Sequence, residues 1–374
     1  MKRVVLVLSD VHLAPTFDSD RLPFRSACFS PAVYLSQTID CAVEHARATR
    51  ADLEIVLAGD VFDFDVPQSA EEVATGVRLA DTTTSDVATQ MLHRTLLDHL
   101  PFVLALQRAL HVRTRLVVVP GNHDAQLGFA QAQKHLARTL GASFTFAPWY
   151  YKAAGGAVHI EHGHLYDPLC AVTRLCFDDA ANTERTVGTV SSFYAPLLFP
   201  GVDPFASDPF AERRSFREAM VLQGLPSTRP LLACMRELLG TARRGAYDEA
   251  RTLAHECGLE PEQVDYLRAF FAPKATPSDI LAICTGTIDY GATVEDRTRR
   301  AMEAATMMHD ARVAVVGHTH RAGVTPLSHG RTLLNSGAWT PRRTSSEPVG
   351  SYAWITTDEE GRVNDASVKQ VYRQ

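Results

Sequence analysis

The sequence predicts an α/β fold built around a parallel sheet, and three observations lead to this prediction. Apolar runs of strand length, rich in valine and leucine, recur along the chain, beginning with Arg3–Leu8. A helical pattern at residues 30–50 separates this run from the next, at residues 53–58. Most residues in each run are apolar, which is typical of strands covered on both faces. Polar residues follow directly where each run ends.

The first two strands and the helix between them form a βαβ unit, which places both strand ends at one edge of the sheet. Asp10 and His12 follow the first strand and share a face if the backbone stays extended. A carboxylate beside an imidazole is half of a metal site. The second strand leads into Asp60 and Asp63.

Three further strands have the same pattern. The third, at residues 115–119, follows a long helical pattern at residues 86–110 with a kink expected at Pro101. The fourth and fifth are predicted at residues 157–161 and 312–316. Later strands are expected at residues 331–335, 351–357 and 362–372. The polar residues that follow the third, fourth and fifth strands are Asn122, His123 and Asp124, then His162 and His164, then His318 and His320.

Composition limits the classes of function. A chain of 374 residues with 45% hydrophobic content can bury a large core. The net charge of −6 gives no broad field for nucleic acid, so a nucleic-acid partner is not favoured. The seven cysteines have no Cys-x-x-Cys spacing, which indicates reduced thiols rather than a disulfide framework or structural zinc site.

The chain is expected to be cytoplasmic. Its start resembles a signal peptide, but Asp10 and His12 interrupt the apolar run early, and no stretch reaches the roughly 18 apolar residues of a membrane span. A segment rich in proline and aromatic residues, from Phe193 to Phe210, could bind a lipid chain or a membrane surface peripherally. Packing on the core or on a second subunit is the alternative, and the oligomeric state is not predicted.

Residues 165–311 are predicted to form a mainly helical insertion, and no strand is expected within them. Helices are predicted at residues 229–244, 247–257 and 261–271, and another begins at Thr293 with a capping-box-like start. The domain division is therefore core residues 1–164, a helical cap or insertion at 165–311, and a second core part at 312–374. Because the insertion lies between two polar strand ends, it is the expected specificity element.

Five polar segments thus follow predicted strands, at the edge where open α/β sheets bind ligands. Their imidazoles, carboxylates and asparagine carbonyl suit two borderline divalent ions, with one carboxylate able to bridge. The alternative is that each segment holds strand-end polar residues with separate partners. The segments supply Asp10, His12, Asp60, Asn122, His123, His162, His318 and His320.

In order and strand context, these motifs resemble the calcineurin-like metallophosphoesterase superfamily, of bacterial type: Asp10-x-His12, Gly59-Asp60-x-x-Asp63, Gly121-Asn122-His123-Asp124, His162-Gly163-His164 and Gly317-His318-x-His320. The resemblance implies a four-layer α/β/β/α sandwich with two sheets and a dinuclear metal site. It places Asp10, His12 and His320 on the first metal. It places Asn122, His162 and His318 on the second, with Asp60 bridging.

The resemblance also implies a metal-dependent phosphoesterase in which two cations bind the phosphate and acidify a water that attacks phosphorus. His123 is then the general acid that protonates the leaving oxygen. Asp63 or Asp124 could orient it, or either carboxylate could cap a helix or turn. The N/O ligand set suits manganese, with iron or zinc as alternatives. His159 faces away from His162 and is not expected to be a ligand, whereas His164 could contact the metals.

The substrate is predicted to be a small or lipid-linked phosphoester. The segments GDVFDF, HGHLYDP and GHTHRA resemble those of UDP-2,3-diacylglucosamine pyrophosphatases. Those enzymes usually carry arginine where His123 stands, and they lack so long an insertion. Three alternatives remain open: a pyrophosphatase of that type, a nuclease or other phosphodiesterase, and a non-catalytic metal-binding scaffold.

Overall fold

The computed structural model describes residues 2–16, 31–65, 84–167, 170–171, 175, 177–178, 184–186, 290–339 and 348–372. The described helices are α1 (Ala32–Thr49), α2 (Ser85–Asp98), α3 (Leu100–Leu110), α4 (Ala130–Leu140) and α5 (Tyr290–Met308). The strands are β1 (Arg3–Leu8), β2 (Asp52–Ala58), β3 (Thr114–Val119), β4 (Thr145–Phe146), β5 (Tyr151–Ala153), β6 (Val158–Ile160), β7 (Phe177–Asp178), β8 (Glu184–Arg185), β9 (Val313–Val316), β10 (Gly323–Pro326), β11 (Thr332–Asn335), β12 (Pro348–Thr357) and β13 (Val363–Tyr372).

The strands form two main sheets. The first has six strands in the order β13-β12-β1-β2-β3-β4, in which β1, β2 and β3 are parallel and β12 with β13 forms an antiparallel hairpin. The second has five strands in the order β10-β11-β9-β6-β5, with β6 parallel to β9. The predicted fourth and fifth strands therefore lie in the second sheet, beside each other.

The side chains of β1 show how the layers pack. Val5 and Val7 join the core between the two sheets, together with Val315 of β9. Val4, Leu6 and Leu8 point the other way and pack with residues of α1, α2, α3 and α4. On the second sheet, Ala314 and Val316 pack against Met302 of α5. Helices thus cover the outer face of each sheet, and the predicted α/β/β/α sandwich is confirmed.

Two predicted helix boundaries were wrong. The pattern at residues 86–110 is two helices separated at His99, and Pro101 lies in the first turn of α3. This position suits proline because its missing N–H has no partner there. Helix α5 already includes Tyr290, so Thr293 lies within it, and Asp296 forms ion pairs with Arg299 and Arg300.

Little of the predicted insertion falls within the described residues. The helices predicted at residues 229–244, 247–257 and 261–271, and the segment from Phe193 to Phe210, lie outside them. The described part does include the two-residue strands β7 and β8, where no strand was expected. Runs this short give no periodic signal. Within the ranges given above, no helix combines the length and apolar character that crossing a membrane requires.

Candidate metal centre

The polar segments converge where strands of both sheets end. The segments that follow β1 and β2 remain hydrogen-bonded to each other. The amide of Asp10 donates to Gly59 O (3.1 Å), and the amide of His12 donates to Asp60 O (2.9 Å). The amide of His318, after β9, donates to both carboxylate oxygens of Asp10, at 3.0 and 3.1 Å. The backbone therefore ties the two sheets together at the site.

Several of the predicted ligands have left-handed backbone conformations. These conformations are uncommon outside glycine, although aspartate and histidine are enriched in them. The backbone at Asp10 and His12 is therefore not extended. Backbone strain of this kind is concentrated at functional sites. The φ angles are 51° at Asp10, 54° at His12, 53° at Asp60, 67° at His318 and 57° at His320.

A first group of metal-ligating atoms comes from Asp10, His12 and His320, all within 4.8 Å of one another. The two histidine Nε2 atoms are 3.3 Å apart, and His320 Nε2 lies 3.4 Å from Asp10 Oδ1. His12 donates its Nδ1 proton to Asp63 Oδ2 at 3.0 Å. That contact fixes the tautomer and leaves the Nε2 lone pair directed at the group.

A second group comes from Asp60, His162 and His318, all buried and also within 4.8 Å. His162 donates Nδ1–H to Ala58 O at 3.0 Å, so Nε2, 3.1 Å from Asp60 Oδ2, is the nitrogen that could bind a metal. Burial alone would lower the pKa of His162, but the charges of Asp60 and Asp10 raise it to about 9. The carboxyl pKa of Asp60 is held well below its usual range by His162 and His123, against the effect of burial.

Asn122 provides a test of whether these residues fit metal ions. Its Oδ1 is buried without a hydrogen-bond partner among the residues that the structure describes. Such an acceptor is costly unless a cation or another donor meets it. Glycines leave the space that the cluster needs, because a Cβ at Gly59 would overlap the ring of His162 and a Cβ at Gly121 would overlap Asp60. The donor set and this geometry fit divalent cations.

His123 lies at the rim of the site, its side chain 22% exposed. Its Nδ1 is 3.3 Å from Asp63 Oδ1 and 3.1 Å from Asp65 Oδ2, and its ring centroid is 4.9 Å from that of His12. Burial would lower the pKa of His123, but the charges of Asp63 and Asp60 raise it well above its usual range. Asp65 had not been singled out from the sequence, although it lies two residues after Asp63.

Asp124 faces away from the His123 ring. Its Oδ1 accepts from the Gly121 amide at 2.6 Å, and its Oδ2 accepts from the amides of Val61 and Phe62 at 2.9 and 3.3 Å. This carboxylate joins the loops that follow β2 and β3. Burial and the charge of Asp60 raise its pKa to about 7. Of the two carboxylates considered for orienting His123, the structure places Asp63 in contact with it.

Three further residues lie around the second group. His159 is buried on the face away from His162 and hydrogen-bonds Glu161 at 3.0 Å. His164 is buried with its ring centroid 5.4 Å from that of His162, and burial and the His162 charge lower its pKa well below the usual range. Asp167, not anticipated from the sequence, lies 2.9 Å from His318 Nε2.

A sequence model of calcineurin-like phosphoesterases matches residues 3–224, more than half of the chain. The chain belongs to this family. As a calcineurin-like phosphoesterase it is a metal-dependent phosphoester hydrolase. The family implies divalent metals, and the two groups described above are candidate sets of ligands for them. His318 and His320 lie beyond the matched residues, and the fold brings them to the others. A search of curated proteins found no match.

Solved structures similar to this phosphoesterase include three of low sequence identity. A predicted phosphoesterase from Streptococcus pneumoniae is 10% identical, with 100% of this chain and 99% of that one covered and a TM-score of 0.29. A putative 5′-nucleotidase from Staphylococcus aureus is 12% identical (100% and 55% covered, TM-score 0.37). A dimetal phosphatase from Danio rerio is 12% identical (99% and 99%, TM-score 0.33). With such low TM-scores, the fold assignment rests on the sheets and the family match instead.

Proposed function

We propose that this phosphoesterase holds two divalent ions and hydrolyses a small or lipid-linked phosphoester, with His123 as the general acid. The observation that carries the proposal is the convergence of two ligand groups, one around Asp10 and one around Asp60, beside the partly exposed ring of His123. Manganese is the proposed metal, with iron or zinc as alternatives, because the donors are nitrogen and oxygen only.

Each group offers three or more donors of the expected kind. Asp10, His12 and His320 would hold one ion. Asn122, His162 and His318 would hold the other, with Asp60 bridging. Asn122 Oδ1 has no hydrogen-bond partner among the described residues, which supports this assignment. When bound, two such ions neutralise phosphate charge and lower the pKa of a water molecule for in-line attack.

The contacts of His123 support its proposed role as the donor of a proton to the leaving oxygen. Its Nδ1 faces Asp63 and Asp65, so Nε2 is the nitrogen directed to a substrate at the rim. The amide of His123 also donates to Asp60 Oδ1 at 2.8 Å, which fixes the ring relative to the proposed bridging ligand. A positioned general acid is typically worth about 10²–10⁴-fold in rate.

The test is hydrolysis of p-nitrophenyl phosphate and bis-p-nitrophenyl phosphate with Mn²⁺, Fe²⁺ or Zn²⁺, alongside metal content per chain. Asp60→Ala and Asn122→Ala should abolish turnover and lower metal content. Asp365→Ala, on the exposed side of β13, is the matched control and should behave as the unmodified chain. Full activity of both site variants would exclude the proposed centre.

A substrate panel then separates the remaining alternatives. A UDP-linked acyl sugar tests the pyrophosphatase, and single- and double-stranded DNA at low salt tests the nuclease. We expect the leaving group to be small or lipid-linked, so turnover of DNA above that of the small esters would contradict the proposal. A chain that binds metal but hydrolyses none of these substrates would support the non-catalytic metal-binding scaffold.

A further inference from the structure

We propose that Asp167 is a positioning residue that sets the ring of His318 for the second metal ion. Asp167 Oδ2 lies 2.9 Å from His318 Nε2, with side-chain exposures of 0% and 5%. This inference rests on the dinuclear site proposed above. It assigns a role to a carboxylate that is not among the proposed ligands.

The hydrogen bond determines which nitrogen of His318 can bind metal. A carboxylate accepts hydrogen bonds, so His318 donates Nε2–H to Asp167 and Nδ1 keeps its lone pair. Partners of this kind fix the tautomer and orientation of a ligating histidine and increase its basicity. His162 and His12 have equivalent arrangements, with Ala58 O and Asp63 accepting from the nitrogen opposite to the ligating one.

Asp167 is itself held firmly. It follows the 3₁₀ turn His164–Tyr166, and its amide donates to His164 O at 3.1 Å. Its carbonyl accepts from the amides of Cys170 and Ala171, at 3.1 and 2.9 Å. Tyr166, beside it, packs with Met302 of α5. The backbone that carries the carboxylate is therefore held next to the second sheet and α5, which lets the carboxylate orient the ring of His318.

The backbone of His318 is anchored at the other end. Its amide donates to the carboxylate of Asp10, a proposed ligand of the first metal. His318 thus connects the two metal groups. Its backbone is anchored, so the orientation of its ring depends on the contacts of the side chain. Asp167 sets that orientation without belonging to the group that joins His318 to Asp60 and His162.

The competing assignment for Asp167 is that it is itself a metal ligand. Asp167, Cys170 and His318 also bring ligating atoms within 4.8 Å of one another, so the three could form a separate thiolate metal site. Such a site would compete with Asp60 and His162 for the same imidazole. The direct hydrogen bond between Asp167 and His318 favours positioning instead.

The experiment compares the unmodified chain with Asp167→Ala, Asp167→Asn and Cys170→Ser. Affinities for two equivalents of Mn²⁺ are measured by calorimetry, and Co²⁺ loading is followed by visible absorption. Asp167→Ala should weaken the binding of one of the two equivalents by about 10–100-fold and leave the other unchanged. Asp167→Asn keeps a hydrogen-bond acceptor without the negative charge, so it should lose less metal affinity than Asp167→Ala. Cys170→Ser should match the unmodified chain.

Two results would overturn the inference alone: unchanged affinities in both Asp167 variants, or weaker metal binding in Cys170→Ser with loss of a cobalt–thiolate band. Circular dichroism checks folding, and if Asp167→Ala does not fold, Asp167→Asn decides by the same criterion. An unmodified chain that takes up no Mn²⁺, Co²⁺, Fe²⁺ or Zn²⁺ would overturn the proposed function, and this inference with it.

Discussion

The carboxylate of Asp63 holds the ring of His12, with Oδ2 lying 3.0 Å from Nδ1. Its other oxygen lies 3.3 Å from Nδ1 of His123. One buried side chain therefore supports both a proposed metal ligand and the proposed general acid. Changes at this carboxylate should affect metal binding and proton donation together.

Asp63→Ala should lower both metal affinity and turnover, each by about 10–100-fold, because both imidazoles lose the acceptor that orients them. Asp65→Ala is the matched comparison, since Asp65 contacts the ring of His123. It should reduce kcat while the affinity for metal stays unchanged. Calorimetry with Mn²⁺ and steady-state kinetics provide the two measurements. Equal loss of metal affinity in both variants would contradict this division of roles.

Gly59→Ala should damage the metal centre through packing. Gly59 has φ 84°, and an added Cβ would overlap the ring of His162. Gly141→Ala is a matched control, because Gly141 has φ 66° but no atom within 4 Å of the added Cβ. Gly141→Ala should lower the free energy of unfolding by about 1–2 kcal/mol, from backbone strain alone. Gly59→Ala should cost about 2–5 kcal/mol, the sum of strain and overpacking.

Urea denaturation measures both stabilities, and metal content after gel filtration shows the consequence for the site. Gly141→Ala should bind the full complement of metal, whereas Gly59→Ala should not. If the two variants lost the same stability and retained the same metal, the close approach of Gly59 to His162 would have no energetic importance.

Asn122→Leu should separate function from stability. The substitution replaces a buried acceptor that lacks a protein hydrogen bond in the described structure by an apolar side chain of similar volume. An unsatisfied buried group costs about 1–3 kcal/mol, so the variant should be at least as stable as the unmodified chain in EDTA. With Mn²⁺ it should gain less stability and show no turnover. A marked loss of stability in EDTA would show that Asn122 has a structural role.

His99 should make stability depend on pH away from the metal centre. It is buried between α2 and α3, where its Nε2–H donates to Ala14 O at 2.8 Å, and burial lowers its pKa. The folded chain then binds fewer protons than the unfolded chain. Its contribution to stability is therefore present above the ordinary histidine pKa of about 6.5 and is lost as the pH falls below it.

His99→Gln keeps a donor for Ala14 O but does not titrate. Between pH 7.5 and pH 5.5 in EDTA, we expect the free energy of unfolding to fall less in this variant than in the unmodified chain. Urea denaturation at the two pH values measures the difference. His111→Gln, at the exposed end of α3, should keep the full dependence. Parallel pH curves for His99→Gln and the unmodified chain would exclude this contribution.

Much of the fold could be predicted from the sequence because its signals are local. The runs that became β1, β2, β3, β6 and β9 are mostly apolar, and each stops where a polar segment begins. Very short strands such as β4 and β5 were not predicted, since two or three residues carry no periodicity. They form because the neighbouring strands β3 and β6 offer unpaired edges.

The sequence by itself determined which residue types stand at the strand ends, and hence the candidate metal chemistry. Tertiary structure alone decided the contacts among them. Asp63 and Asp65 contact the ring of His123, whereas Asp124 accepts hydrogen bonds from backbone amides. Asp167 contacts His318, which lies far from it in the sequence. Carboxylates of one type differ in role only through the donors that the fold brings near them. Those donors come from segments far apart in sequence, which local patterns do not specify.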